Sequence, residues 1–126
     1  AVAALIPAAS ALSLKLELVG ENSCKRWHQD QYVARAIVSY NVGGTEYVHG
    51  DHVDHWELRS GGKNHRIVRD HAAVCRAGVG DILFMKGTMF PGSVNGLLHR
   101  SPDPVYHSNG AVKARLILKV DVDKLC

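Results

Sequence analysis

Short apolar–polar alternations broken by glycine, with no strong helical period, constrain this 126-residue chain more than any other feature. Residues 13–19 alternate apolar and polar side chains, the period of a strand with one buried face. Residues 20–23 form a turn, and residues 27–30 continue as a strand or strand edge. Residues 33–40 are rich in β-branched and apolar types and predict a second strand. A turn with adjacent Gly43 and Gly44 leads into a short strand at 46–48. Residues 49–66 are rich in His, Asp and Gly and predict a loop with one helical turn; residues 70–74 predict a second short helix or turn. Gly80-Asp81 feeds a buried strand that ends near Gly87, residues 97–101 form a short strand, and residues 113–121 form the last one. Six to eight short strands without an internal repeat predict an all-β fold with minor helix: an antiparallel barrel or sandwich of the jelly-roll, double-stranded β-helix type.

The length suits one domain, and no composition change divides it. The expected organisation is an apolar N-terminal arm at 1–11, where Pro7 interrupts any helix, followed by one β-barrel domain at 12–126. The net charge is +3 with no dense Lys/Arg block, which argues against nucleic-acid binding. No run is long enough to span a bilayer as a helix. Cys24, Cys75 and Cys126 are odd in number and widely spaced, so free thiols in a reducing compartment are expected, the cytoplasm or an organelle matrix or stroma. The chain opens on Ala1, which reads as a processed form or a fragment. Its small apolar start then reads as the end of a targeting segment or an arm packed on a neighbour.

The chemistry-bearing motif is His28-x-Asp30. Residues i and i+2 of a strand point to the same side, so the imidazole and the carboxylate converge as two ligands of a 2-His-1-carboxylate metal site. His99, beyond the Gly80-Asp81 strand, is the candidate third ligand. Such a triad leaves about three positions open on an octahedral ion. A cation is then wanted for the far carboxylate of a 2-oxo acid co-substrate. Arg115 on the last strand is the first candidate and Arg35 the second, since a guanidinium pairs bidentately with a carboxylate.

His28-x-Asp30, Gly80-Asp81 with its apolar strand, His99 and Arg115 together resemble the 2-oxoglutarate/Fe(II) dioxygenase superfamily. More closely, Trp27-His28-Gln29-Asp30, Arg35, residues 40–46 (Tyr40-Asn41-Val42-Gly43-Gly44-Thr45-Glu46), Val53-Asp54, Lys86-Gly87 and residues 98–102 are similar to the domain-of-unknown-function 1826 family, over residues 12–121. The first resemblance implies Fe(II) held by His28, Asp30 and His99, with 2-oxoglutarate and a small-molecule substrate. The gap from His99 to Arg115 is longer than many dioxygenases of that superfamily show, and little chain is left for a lid.

Blander roles stand beside these. His49, His52 and His55 recur at intervals of three and suggest a second, zinc-type site; a polar loop facing water is favoured. Arg35 serves equally as an ion pair at the barrel rim. Arg115 alternates with Lys113 and Lys119 on a face that reads as solvated. Arg100 is expected to pair with an acidic side chain, and Asp81 to be a turn residue. Trp27, Trp56 and Phe90 line a pocket or pack in the core, with packing favoured for at least two. Cysteine catalysis lacks a His–Asp partner pattern; no serine elbow and no phosphate loop is present. The expected function is a metal-binding jelly roll acting as an Fe(II)/2-oxoglutarate oxygenase. The alternatives are a non-catalytic zinc- or iron-binding protein, and a processed structural subunit docked in a larger organellar membrane complex with a degenerate barrel.

Overall fold

A computed structural model describes residues 2–123. Cys126, the third expected thiol, lies outside the described residues; Cys24 and Cys75 are free and exposed. The chain is mostly β with short helices. In order, the elements are α1 (Val2–Leu5), β1 (Ser13–Val19), β2 (Ala34–Ser39), β3 (Glu46–Val48), α2 (His55–Arg59), α3 (Asn64–Ile67), β4 (Cys75–Arg76), β5 (Ile82–Lys86), β6 (Leu98–Arg100) and β7 (Arg115–Val122). Single 3-10 turns at Gly50–His52 and His71–Ala73 complete the loop where helical turns are predicted. Asp54 caps α2 by accepting from the Trp56 and Glu57 amides, and Asp70 caps the second 3-10 turn at the Ala72 amide. Asp81 is the turn residue expected, its carboxylate accepting from the Gly78 amide.

All strand pairs are antiparallel and fall into two sheets, β1-β7-β2-β5 and β4-β3-β6. A further bridge joins His28 to His99 on β6. The pairing is nested: the first strand pairs with the last, the His28 segment with β6, β2 with β5, and β3 with β4. That is the ladder of one long hairpin, closed laterally by β7 on β2 and by β6 on β3.

The strand at 13–19 forms where the alternation predicts, and its leucines point away from the protein. Leu14, Leu16 and Leu18 are exposed, whereas Glu17 and Val19 turn towards a cavity between the sheets. The register puts Val19 opposite Arg115 and Leu16 opposite Leu118, so β7 follows the same rule. The reading of Arg115 as an outward, solvated residue is therefore corrected: it is 6% exposed and lines the cavity. The sheet can face its polar side inward because Lys119 pairs with Glu17 at 2.8 Å and Arg35 pairs with Asp121.

Apolar packing lies around this polar interior. Ile37, Met85 and Ile117 form its floor with Leu97. Trp27, Val48, Val53, Ile67, Val68 and Leu98 fasten the 49–68 loop to the short sheet. Ile6 and Ala9 of the N-terminal arm pack on Val33, Ala34, Ala36 and Val122, so this part of the arm rests on the chain's own sheet. Of the three aromatics, Trp27 is core, Phe90 packs against the Ile6 cluster, and Trp56 is 68% exposed. Ile67→Ala is therefore expected to cost about 2–5 kcal/mol in denaturant unfolding, and Trp56→Ala within about 0.5 kcal/mol. Equal losses would contradict this packing.

Candidate metal centre

Backbone pairing builds the site. The His28 amide donates to the His99 carbonyl at 3.1 Å and the His99 amide returns the bond at 3.0 Å. This reciprocal pair sets the two residues directly opposite each other with their side chains on one face. The rings accordingly lie with centroids 4.4 Å apart. The segment is tied down on both flanks: Ser101 N–H donates to the Cys24 carbonyl, Trp27 N–H to Asn64 Oδ1, and Asn64 Nδ2 to the Lys25 carbonyl.

Residues 27–30, expected as a strand or strand edge, make only an isolated bridge at His28, yet Asp30 two residues on brings its carboxylate to both rings. Its carbonyl accepts from the Thr88 amide, and Gly87 N–H donates to the Val33 carbonyl. Gly87 is needed for this approach, because a Cβ there would overlap the Tyr32 carbonyl oxygen.

Both imidazoles are turned for coordination through Nε2. His28 Nδ1 lies 2.7 Å from the Arg26 carbonyl and His99 Nδ1 lies 2.9 Å from the Leu97 carbonyl. A carbonyl only accepts, so each Nδ1 carries a proton and, in the neutral imidazole, each Nε2 presents a lone pair. His28 Nε2 is 3.8 Å from Asp30 Oδ1, and His99 Nε2 is 3.4 Å from Asp30 Oδ2. One ligand atom from each residue lies within 4.8 Å of the others, the one such group among the described residues. Asp30 Oδ2 is buried and has no hydrogen-bond partner: Arg35 Nη1 comes within 3.2 Å without hydrogen-bond alignment. Two lone pairs and an anionic oxygen facing one point repel unless a proton or a cation lies between them. The donor set fits a divalent first-row ion.

The charges around it are ordered. Burial alone would push the Asp30 carboxyl up; a hydrogen bond from the protonated form of His99, with the positive charges of His99, Arg35 and His28, outweighs it and holds the group below the usual carboxylate range. Burial pushes the His28 imidazole down, reinforced by His99 and Arg35, against the Arg26 carbonyl and Asp30, which favour its charged form. Arg35 donates to both oxygens of Asp121 at 2.5 and 2.9 Å and stacks over Tyr32. Burial works against its charge, but Asp121 and Asp30 more than compensate and raise its pKa. Its guanidinium thus bridges Asp30 and the buried Asp121, the ion-pair role read beside the co-substrate one.

Arg115 differs. It lines the same cavity of about 470 Å³ with His28, His99, Thr45 and Ser101. Among the described residues its Nη1 is buried without a hydrogen-bond partner, and its one side-chain hydrogen bond is Nη2 to Ser101 Oγ at 3.5 Å. Burial pushes its pKa down, and among the described residues no carboxylate pairs with it; Glu17 in the same cavity pairs with Lys119. Arg100 pairs with Glu46 as expected and lies over Trp27; Arg76 joins it on Glu46.

His49, His52 and His55 do not converge. His49 pairs with Asp51, His52 approaches Asp70, and His55 Nδ1 is buried without a partner. Sequence reasoning missed Asp121 and Asn64, both distant in sequence from the residues they hold; only the register of β2 on β7 reveals the first.

The fold and site define an antiparallel β protein with a three-ligand candidate metal centre. A family model described as a protein of unknown function, DUF1826, matches residues 1–121, and the chain belongs to that family. Comparison with curated proteins and with solved structures gives no match. Among the described residues, no helix is long and apolar enough to cross a membrane.

Protons compete with the metal for the imidazoles. Because burial lowers the His28 pKa, that competition begins below the ordinary imidazole value of about 6.5. Calorimetric titration with Mn(II) should give a pH-independent affinity above about pH 7 that falls steadily below about pH 6. Affinity rising on acidification would rule out imidazole ligation.

Proposed function

We propose that this chain is a jelly-roll metal protein that binds Fe(II) at His28, Asp30 and His99 and a 2-oxo acid beside it, in the manner of an Fe(II)/2-oxoglutarate oxygenase. The nested strand pairing supports the barrel, since rolling up one long hairpin generates a jelly roll. The resemblance of His28-x-Asp30, His99 and Arg115 to that superfamily points the same way.

The observation that carries the reading is the pairing of two complementary vacancies in charge. Three ligand atoms converge on a point that wants a cation, and a buried guanidinium in the same cavity wants an anion. A small dianion that chelates a metal at one end and offers a carboxylate at the other satisfies both, which is the chemistry of 2-oxoglutarate. Zinc would fit the same donors, so the ion is proposed from the open coordination positions and the anion pocket together.

In this reading the protein's own work is positional. The His28–His99 backbone bridge and the two Nδ1 hydrogen bonds fix the imidazole planes. Arg35, anchored on Asp121, holds Asp30 ionised and in place. Arg115, with Ser101, receives the far carboxylate. Ile37, Met85 and Ile117 keep the cavity floor dry. Bound Fe(II) would supply activation of dioxygen coupled to decarboxylation of the 2-oxo acid, one oxygen atom passing to succinate and one to the substrate.

The test separates the two halves of the site. Arg115→Gln should weaken 2-oxoglutarate binding to the Mn(II)-loaded protein by about 100-fold or more, and leave Mn(II) affinity within about threefold. His28→Ala and His99→Ala should each remove tight Mn(II) binding. Unchanged 2-oxoglutarate affinity in Arg115→Gln would overturn the co-substrate assignment and leave a metal-binding protein.

A further inference from the structure

The four-stranded sheet carries a second feature that the metal site does not use. Its outer face is apolar on all four strands except at Lys86, opposite Ala34 at the end the N-terminal arm covers. Register places Leu14, Leu16 and Leu18 of β1 against Val120, Leu118 and Leu116 of β7, then Ala36 and Val38 of β2 beside Phe84 and Ile82 of β5. The N-terminal arm covers one end: Ile6 and Ala9 pack in the cluster that holds Ala36, Phe84 and Val120. The other end is open. Leu14, Leu16 and Leu18 are 65%, 67% and 73% exposed, and Ile82 is 65% exposed. Leu116, Leu118 and Val38 between them are half-buried.

Among the described residues no charged side chain lies in this open half: the charged positions of β1 and β7 alternate to the opposite face, from which Glu17, Arg115 and Lys119 line the cavity, while Lys15 on the edge strand is exposed. A partner recognised by charge, such as a nucleic acid or an acidic peptide, finds nothing to bind there. The surface offers a pleated, flat, hydrophobic plane. Its natural complement is another such plane, packed about 10 Å away with strands near −30°. A second copy of the chain supplies one. Rotation about an axis close to Leu118, the middle of the patch, sets each face on its own image.

Area supports that occupant. The exposed fractions correspond to about 600 Å² of apolar surface on one copy, at the top of what a monomer's largest patch shows. Two copies would bury about 1,200 Å², the lower bound for a specific stable interface.

We propose that the open half of this sheet face is a two-fold interface, and that two copies of the chain pack sheet on sheet through Leu14, Leu16, Leu18, Ile82, Leu116 and Leu118. The candidate metal ligands His28, Asp30 and His99 are not part of this sheet face, so each protomer keeps a complete site.

Sedimentation equilibrium of the whole chain tests this. A monomer–dimer equilibrium with a Kd in the micromolar range is expected, about what an interface at the lower size bound supports. The double variant Leu16→Thr/Leu118→Thr keeps β propensity and should raise that Kd by about 100-fold or more, with an unchanged circular dichroism spectrum and unchanged Mn(II) binding. Should that variant not fold, Leu16→Thr alone, on an edge strand, should raise it by about tenfold. Val94→Thr, at a residue 90% exposed in another part of the chain, should leave it unaltered. A chain that stays monomeric up to about 100 µM overturns the proposal, as does a dimer whose Kd ignores the leucine substitutions. A face that instead associates with neutral lipid vesicles while the chain stays monomeric would overturn it in favour of a membrane.

Discussion

Two imidazole nitrogens and a carboxylate face one another here at 3.4 and 3.8 Å, an arrangement that a shared proton or a metal cation relieves. The geometry that forces this confrontation is backbone geometry, the reciprocal His28–His99 amide pair. The rings are pinned a second time at Nδ1 by the Arg26 and Leu97 carbonyls, so neither Nε2 can turn away without breaking a hydrogen bond. Asp30 is held by Arg35 and by the loop that Gly87 admits. The site is therefore preorganised around a point rather than assembled by side-chain flexibility.

That preorganisation sets the charge order of the interior. Glu17–Lys119, Asp30–Arg35–Asp121 and Glu46 with Arg76 and Arg100 each bring opposite charges into contact. Buried ions are tolerable in such groups and costly alone. Arg115 is the exception, with hydroxyl contact alone on its side chain. An uncompensated guanidinium in a cavity beside a cation site is a cost to folding unless an anion relieves it. This imbalance, more than cavity size, is the reason for assigning the pocket to a small chelating dianion.

Much of this was legible in the sequence, with an informative limit. The period of the strands at 13–19 and 113–121 is read correctly from alternation, and so are the same-side placement of His28 and Asp30, the pairing of Arg100 and the turn at Asp81. Direction is another matter. Alternation defines two faces of a strand without saying which is inside. Here leucines face out and lysine, glutamate and arginine face in, because the interior is a polar cavity with internal ion pairs. The usual assignment of apolar to inside thus misplaces Arg115. Partners such as Asp121 for Arg35 depend on the register of strands far apart in sequence, which no local pattern encodes. The same inversion explains the open apolar sheet face: a sheet whose polar side lines an internal cavity has its apolar side facing outward.

The central claim is that His28, Asp30 and His99 hold an iron that a 2-oxo acid can chelate beside Arg115. An anaerobic optical titration of metal-free protein, first with Fe(II) and then with 2-oxoglutarate, tests it most directly. The account predicts a visible charge-transfer band that requires both additions and is absent in His99→Ala. Iron that binds without any band on addition of 2-oxoglutarate, or protein that takes up no iron, would contradict it.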